Sequence, residues 1–312
     1  MTIAPFPVDP ALLAISVGYR NERYIADAVL PRVPVPKETF KYLVYPIDEA
    51  FRVPDTRVGR RSRPNEVHLT ATEATAATED YGLEDLIPVS DIENASGSNY
   101  RPVDRAVVQL TEYLLIDRER RAASLVFDTT SFDPGNVTTL SGTSQWSDHA
   151  NSDPVKDIIE AMDVPLMRPN VIVMGRAVWT KLRTHPKIVA AVKQTGGTDA
   201  SGVAARRAVA DLFEVEDILV GEAWINTAKK GQAASISRVW GKHCALLFRD
   251  RTADTRSGLT FGFTAQFGSR IAGTRPDPDV GLRDGVRVRV GESVKELVVA
   301  SQAGYLFQNA VA

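Results

Sequence analysis

One continuous stretch, residues 101–130, sets the strongest limit on how this chain can fold. It reads RPVDRAVVQLTEYLLIDRERRAASLVFDTT, and Pro102 suits the first turn of a helix, where a missing N–H costs nothing. Further residues recur at steps of three and four, the spacing of one helical face: Val107, Leu110, Leu114, Arg118, Arg121 and Leu125. The pattern predicts a helix of roughly 25 residues, about 38 Å long, which exceeds most helices of globular domains.

The centre of this stretch mixes charges of both signs. Asp117, Arg118, Glu119, Arg120 and Arg121 place opposite charges three or four residues apart, where they support one another on a helix. We therefore expect one helix that crosses the whole subunit.

The composition of the chain excludes several classes of protein. Its 312 residues are 44% hydrophobic and 24% charged, which is ordinary for a globular protein, and the formal net charge of -2 gives no global attraction to nucleic acid or membrane. The single cysteine, Cys244, excludes an intramolecular disulfide framework. No apolar run is long enough to span a bilayer, and the N-terminus lacks the pattern of a signal peptide. The sequence predicts a soluble protein made inside a cell.

Residues 1–38 are typical of an arm rather than a domain. Several prolines break the segment into extended pieces. Its apolar residues cannot be buried by so short a segment alone: Leu12, Leu13, Ile15, Val29 and Leu30. We expect them to dock on a neighbouring subunit, with packing on the chain's own core as the alternative.

Residues 39–86 predict a long hairpin. Alternating residues around Phe40–Val44 give the outgoing strand, and NEVHLTAT, residues 65–72, gives the return strand. The tip PDTRVGRRSRP concentrates basic charge in Arg57, Arg60, Arg61 and Arg63. The base beyond the return strand is acidic, with Glu79, Asp80, Glu84 and Asp85. This separation of charge predicts a contact between copies of the chain, although a solvated loop remains the alternative for any single charge.

The second half of the chain predicts a compact α/β unit followed by strands. Residues 150–225 alternate helices with short buried strands; Asp153 and Pro154 mark one helix start, and Ser201 is a candidate cap for another. From Ser235 the residues favour strands. VRVRV places Val286, Val288 and Val290 on one face, and we expect it to pair with VKELVVAS beside the long helix.

No pattern in the sequence supports catalysis. The four histidines, His68, His149, His185 and His243, have no metal-ligand spacing with one another or with the cysteine. His243 and Cys244 are adjacent, so on a strand their side chains point to opposite faces. Phosphate-loop and nucleophile-elbow motifs are both missing from the sequence. We expect no catalytic, cofactor-binding or metal-binding residues.

The order of these parts resembles the major capsid proteins of tailed bacteriophages with the Hong Kong 97-type fold. Residues 40–85 match the extended loop of that family, and residues 101–130 match its spine helix. PNVIVMGRAVWTKLRTHPKI is similar to the opening of the axial domain, and AVADLFEVEDILVGEAWIN, RVWGKHCALLF and VRVGESVKELVVASQAGYLFQN are similar to later segments.

The resemblance implies an α+β fold in five parts. These are an N-terminal arm (1–38), an extended β-hairpin loop (39–86), a peripheral domain with the spine helix (87–153), an α/β axial domain (154–270) and a return segment (271–312). The implied function is that of a major head protein, which self-assembles through homo-pentamers and homo-hexamers into an icosahedral shell around double-stranded DNA.

The same resemblance suggests partners and location. The chain starts at the arm, without the helical scaffolding segment of many relatives, so we expect a separate scaffolding protein or none. A portal, a decoration protein and non-specific contact with packaged DNA are further expected partners, in a virion assembled in the host cytoplasm. Two alternatives stay open: an encapsulin-like compartment, and an enzyme built on residues 150–225.

Overall fold

The computed structural model describes residues 6–19, 21–44, 53, 55–64, 66, 72–97, 99–194, 202–229, 231–256 and 258–312. The helices in these ranges are α1 (Pro10–Gly18), α2 (Ala26–Val29), α3 (Val89–Asn94), α4 (Pro102–Val126), α5 (Pro154–Met162), α6 (Arg176–Leu182), α7 (Pro186–Gln194) and α8 (Arg206–Leu212). The strands are β1 (Arg32–Val35), β2 (Thr39–Val44), β3 (Thr72–Ala77), β4 (Glu79–Pro88), β5 (Val137–Thr139), β6 (Val171–Gly175), β7 (Asp217–Gly221), β8 (Trp224–Asn226), β9 (Ile236–Arg238), β10 (Cys244–Leu247), β11 (Gly262–Asp277), β12 (Gly285–Val298) and β13 (Gly304–Gln308). Within these ranges, no helix combines the length and the apolar character needed to cross a membrane.

The long helix α4 is confirmed and joins two separate cores. Its N-terminal half buries Val107, Leu110 and Leu114 against residues of β12 and α1. Its C-terminal half buries Ala122 and Val126 in a second apolar cluster, beside a different sheet. The helix is thus the element that both halves of the subunit share.

The four-stranded sheet has the order β1-β11-β12-β4 and lies over the first half of α4. Its central pair, β11 and β12, forms a long antiparallel ladder, and β4 pairs antiparallel with the outer side of β12. Val288 and Val290 are fully buried and Arg289 is exposed, so the predicted alternation of VRVRV holds for these residues, whereas Val286 and Arg287 at the start of the strand are both partly buried.

The expectation that VRVRV pairs with VKELVVAS is wrong, because both segments lie in the single strand β12. Gly291 separates them in sequence but does not turn the chain. It lies opposite Gly82 of β4, and a Cβ at Gly291 would come within 3.0 Å of the Tyr81 carbonyl oxygen. The glycine is therefore explained by close approach of two backbones rather than by a turn.

The five-stranded sheet has the order β5-β13-β10-β6-β7 and is buried on both faces. Ile172 and Met174 of β6 point into the core formed with helices α5 to α8, whereas Val171 and Val173 point towards α4 and α2. The neighbouring strands β6 and β7 run parallel, with α6, α7 and α8 in the connection between them. The predicted α/β unit is thus present.

The apolar residues of the N-terminal segment are buried by their own chain. Leu12 lies in the core under the four-stranded sheet, and Val29 and Leu30 lie in the cluster at the C-terminal half of α4. Leu13 and Ile15 are partly buried against the same chain. For the described part of residues 1–38, the expectation that these side chains dock on a neighbour is wrong, and the alternative of own-core packing holds.

The predicted hairpin of residues 39–86 is present but ends earlier than expected. β2 pairs with β3 antiparallel, from Thr39 opposite Ala77 to Val44 opposite Thr72, and the two strands form a separate sheet. Most of the predicted return strand, residues 65 and 67–71, lies outside the described residues. Residues 79–88, which we assigned in part to the hairpin, form β4 of the four-stranded sheet.

Of the two predicted helix starts, one agrees with the structure and the other does not. Asp153 caps α5 by accepting a hydrogen bond from the Lys156 N–H, and Pro154 takes the first helical position, as predicted. Ser201 lies outside the described residues, and α8 begins after Ala205, so the predicted cap at Ser201 is wrong.

Two glycines at the end of the five-stranded sheet give a test of the packing. Gly175 and Gly221 pair on β6 and β7, and a Cβ at Gly221 would lie 2.0 Å from the Trp240 ring. We expect Gly221→Ala to lower the free energy of unfolding by about 1–3 kcal/mol or more, because the buried ring must move. The control Gly18→Ala meets nothing within 4 Å and should leave the thermal midpoint nearly unchanged. Equal midpoints for the two variants would contradict the packing described here.

Candidate assembly surfaces and the arm–helix junction

The tip of the hairpin carries all four predicted arginines on the surface. Arg57, Arg60, Arg61 and Arg63 are exposed, in a segment without regular secondary structure. The Ser62 N–H donates to the Gly59 carbonyl oxygen at 3.0 Å and forms a turn at the end of the tip. None of the four guanidinium groups forms an ion pair with a described residue. The tip therefore presents concentrated positive charge to the surroundings of the subunit.

Three of the four predicted acidic residues have partners within their own chain. Glu84 lies opposite Arg289 in the ladder and contacts it at 2.5 Å, and Glu79 contacts Lys295 at 2.5 Å. The hydrogen bond from Lys295 lowers the pKa of Glu79. Asp80 accepts a hydrogen bond from Ser293. These exposed contacts join β4 to β12, and each contributes about 0–1 kcal/mol.

The fourth acidic residue, Asp85, has a different environment. Its carboxylate accepts a hydrogen bond from the Leu86 N–H at 2.9 Å, and it forms no ion pair with any described residue. Among the described residues, then, no predicted acid forms an ion pair with the tip arginines, and Asp80 and Asp85 are the two members of the set without a basic partner.

Glu112 of α4 holds the loop that follows α1. Its carboxylate accepts hydrogen bonds from the Tyr19 hydroxyl at 2.8 Å, from the Asn21 amide at 3.1 Å and from the Tyr24 hydroxyl. The bond to Glu112 raises the pKa of Tyr19, as does partial burial. One carboxylate thus fixes three side chains of the N-terminal segment on the long helix.

Glu119, two helical turns further on, joins three parts of the fold. It is 1% exposed, and its carboxylate accepts hydrogen bonds from the Ala26 N–H at 2.5 Å and from the Trp240 indole N–H at 2.6 Å. Burial raises its pKa to about 7, although both N–H donors act to lower it. The carboxylate connects α4 to the first residue of α2 and to the loop before β10.

Arg118 forms the other half of this junction. It is also 1% exposed; its guanidinium bonds to the Asp27 carboxylate, and to the Thr264 hydroxyl at 3.1 Å. It also lies 3.8 Å from the Glu296 carboxylate. These contacts join α4 to α2, β11 and β12. We refer to Arg118, Glu119 and their partners as the arm–helix junction.

A second buried carboxylate extends the junction towards the sheet. Glu292 of β12 is 4% exposed and accepts from Arg32 at 2.9 Å and from Arg270 at 3.3 Å. Burial alone would raise the pKa of Glu292, but the nearby guanidinium groups outweigh it and lower the pKa. This part of the junction therefore stabilises the fold at neutral pH and weakens in acid.

The sequence indicated part of this junction and missed the rest. The spacing placed Arg118 and Arg121 on the buried face among leucines, and a charge at such a position is a signal of a buried partner. Asp117 contacts Arg120 at 2.9 Å and also Arg121, as the helix spacing predicts. Glu112 and Glu119 were not identified, because their partners lie about 90 to 120 residues away in the chain.

The cysteine and the histidines that were considered as catalytic candidates are packed against other residues of the fold. Cys244 is fully buried, which raises its pKa, and His243 accepts a hydrogen bond from the Asn309 N–H. His185 is buried against Ser152, with His149 edge-on to its ring. The described residues contain no group of three or more His, Cys, Asp or Glu side chains arranged to hold a metal.

Comparison with known proteins identifies the family of this chain. Residues 131–274 match the model of phage major capsid protein E. The major capsid protein of Pseudomonas phage JBD67 is 52% identical over 312 residues, which is the whole of both chains. The chain belongs to the phage major capsid proteins. The major capsid protein of Burkholderia phage BcepMu is 28% identical, over 96% of this chain and 95% of its own.

Solved structures agree on the fold of this capsid protein. A phage-related protein from Bordetella bronchiseptica RB50 has a TM-score of 0.77 at 24% identity, over 98% of this chain and 99% of that chain. The capsid of cyanophage P-SCSP1u has a TM-score of 0.60 at 10% identity, over 99% and 92%. The fold is the α+β Hong Kong 97-type fold, as the sequence predicted, and the protein is a structural component of the virion capsid.

The junction of the capsid protein predicts unequal effects for two neighbouring arginines. Arg118→Ala removes a buried cation from its contacts with Asp27, Glu296 and Thr264, so we expect a loss of about 3–5 kcal/mol in the free energy of unfolding. Arg120→Ala changes an exposed residue of the same helix and should cost less than about 1 kcal/mol. Denaturant unfolding of the two variants measures the difference. Similar losses in both would contradict the role assigned to Arg118.

The raised pKa of Glu119 predicts a specific pH dependence of the stability of the folded chain. Its pKa is raised from 4.5 to about 7 in the folded chain, so the folded state keeps the proton in a range where the unfolded chain has lost it. Stability therefore falls as pH rises from about 4.5 to 7, by at most roughly 3 kcal/mol from this residue.

Glu119→Gln, which does not titrate, should gain stability relative to the natural protein over this pH range. Unfolding measured at several pH values in one assembly state tests it. A constant difference between the two proteins from pH 4.5 to 7.5 would contradict the assignment.

Proposed function

We propose that this capsid protein assembles through homo-pentamers and homo-hexamers into a closed icosahedral shell that encloses the double-stranded DNA of a tailed phage. The observation that carries the proposal is the relation to a phage major capsid protein at 52% identity over the full chain. This relation favours a genome container over the encapsulin-like alternative. The near-neutral net charge of -2 is compatible with weak, non-specific contact with packaged DNA.

The structure supports a mechanism in which projecting segments join complete subunits. The arm–helix junction fixes the N-terminal segment on its own chain. The hairpin of β2 and β3 forms a separate sheet, and the described residues of its tip are exposed. A projection of this kind adds contact area beyond that of a compact subunit. We propose that the arginine tip meets acidic surface on an adjacent copy, with Glu79, Asp80, Glu84 and Asp85 as the initial candidates.

We propose the same five parts that the resemblance implied. Two of the proposed boundaries, at residues 86 and 270, fall inside strands β4 and β11. We therefore place these two boundaries at the ends of the strands. A separate scaffolding protein, a portal and a decoration protein belong to the proposal as partners. Assembly in the cytoplasm of the bacterial host belongs to it as well.

A structural rather than catalytic role completes the proposal. The α/β unit of residues 150–225 was the alternative for an enzyme. Its helices and strands form one core, and its buried histidine, His185, has both ring nitrogens engaged, with Ser152 and with the Lys187 N–H.

Electron microscopy and light scattering of the purified protein test the proposed function. Hollow angular shells are expected, or pentamers and hexamers that close when the scaffolding protein is added. Their diameter separates a genome-sized container from a small compartment. A stable monomer at high concentration, with and without scaffold, would contradict the proposal.

Reversal of the tip charges tests the role of the hairpin. We expect a variant with Glu at positions 57, 60, 61 and 63 to give fewer closed shells, because repeated weak ionic contacts are lost at every interface. A variant with Lys at the same four positions keeps the charge and should assemble in near-normal yield. Shell counts by electron microscopy measure the outcome. Normal yield from the reversed variant would remove the tip from the mechanism.

A further inference from the structure

One helical layer of the α/β unit concentrates positive charge that the rest of the chain lacks. Residues 176–212, which include α6, α7 and α8, contain seven Lys or Arg and two Asp or Glu. This segment alone therefore has a formal charge of +5, while the whole chain has -2, so the remaining residues carry -7. The near-neutral total hides a strongly basic layer.

The cations of this layer lie on the side of the helices that faces away from the core. Leu182 of α6 and Ile188 of α7 are fully buried in the core of the five-stranded sheet. Each helix also carries an exposed cation: Lys181 on α6, Lys193 on α7 and Arg206 on α8. We refer to these three cations as the basic face.

The charge of the basic face is not neutralised within the subunit. Two neighbouring cations do have acidic partners, since Lys187 pairs with Asp153 at 2.8 Å and Arg207 with Asp211 at 3.1 Å. No member of the basic face forms an ion pair with a residue that the structure describes. The acids nearest in sequence are thus occupied, and the basic face is free to bind an anion from outside the subunit.

Trp179 places two arginines together beside this surface without cancelling their charge. The guanidinium carbons of Arg183 and Arg206 lie 5.9 and 6.0 Å from the centre of its rings. An aromatic ring attracts a cation through its π electrons but carries no net charge. Both guanidinium groups therefore keep their full positive charge.

The residue types of this layer indicate a ligand recognised by its charge. Trp179 is the only Phe, Trp or Tyr among residues 176–212, and it is 2% exposed, so this layer offers no such ring for stacking on the bases of a single strand. Lysine and arginine side chains on a surface bind the phosphates of a duplex without reading its sequence. The polyanion that fits is double-stranded DNA.

We propose that the basic face, together with Arg183, contacts the phosphate backbone of double-stranded DNA and lies on the inner surface of the shell. The inference rests on the proposed function and deepens it, because it assigns the DNA contact to named residues. A few phosphate contacts per subunit give weak binding that salt reduces further. The contact therefore allows the DNA to leave the shell.

Binding of a fluorescent DNA duplex of random sequence to the full-length, unassembled protein tests the contact. Fluorescence anisotropy at several salt concentrations gives the affinity and its salt dependence. A triple variant with Lys181→Ala, Lys193→Ala and Arg206→Ala should bind at least about tenfold more weakly. The slope of log affinity against log salt concentration should fall by about 2 to 3, because three phosphate contacts are lost.

A second triple variant is the matched control. Lys37→Ala, Lys229→Ala and Lys242→Ala remove the same charge from exposed residues that form no ion pair with a described residue. This control should change the slope by less than about 1. Equal slopes in the two variants would overturn the proposal. So would a loss of assembly with an unchanged slope in the first variant, which would assign the basic face to an acidic surface of a neighbouring copy.

Amine labelling of complete shells gives a readout that does not depend on variants. A small amine-reactive reagent should modify Lys181 and Lys193 less in shells filled with DNA than in shells emptied of DNA. Equal modification in filled and emptied shells would contradict the proposal. Modification of intact shells by a reagent too large to enter them would place these lysines outside and overturn it as well.

A failure of the proposed function gives a different result. If the natural protein stays monomeric, the shell proposal is wrong, and the duplex-binding measurement still decides whether the basic face binds DNA. Normal shells from the first triple variant, together with an unchanged salt slope, would remove the basic face and leave the shell proposal intact.

Discussion

The fold of this capsid protein depends on a pair of charged residues buried in the middle of one helix. Arg118 and Glu119 lie between two apolar halves of α4, one under the four-stranded sheet and one beside the five-stranded sheet. Buried charges are costly unless they are paired and hydrogen-bonded. Here the partners come from α2, β11 and the Trp240 loop, so the cost is offset only when all of these segments are in place. The charges of the junction can therefore be buried only when these segments of the subunit have folded together correctly.

This arrangement separates the interior of the subunit from the surfaces that join copies. The N-terminal segment, which could have served as a link to a neighbour, is held by Glu112, Glu119 and Arg118 on its own chain. The four arginines of the hairpin tip form no ion pair with a described residue. A shell built from such subunits can use many weak contacts at the hairpin, and weak contacts allow errors to be corrected during assembly. In the proposed mechanism, stability of the subunit and reversibility of assembly rest on different residues.

The sequence predicted what depends on local spacing and missed what depends on distant partners. Helix α4, the hairpin and the α/β unit follow from the periods of 3.6 and 2 and from caps such as Asp153. The continuous strand β12 was missed because Gly291 is explained only by Gly82, which lies more than two hundred residues earlier. The roles of Glu112 and Glu119 were missed for the same reason.

Hydrogen–deuterium exchange, compared between unassembled subunits and closed shells, tests the central claim most directly. That claim is that the N-terminal segment is fixed within the subunit and that the hairpin tip joins copies. It predicts slow exchange at the Ala26 amide, which donates to Glu119, in both states, and exchange at residues 55–64 that slows only in shells. Fast exchange at Ala26 in the subunit that becomes slow only on assembly, with an unchanged tip, would show that the N-terminal segment is the inter-subunit link and would contradict the account.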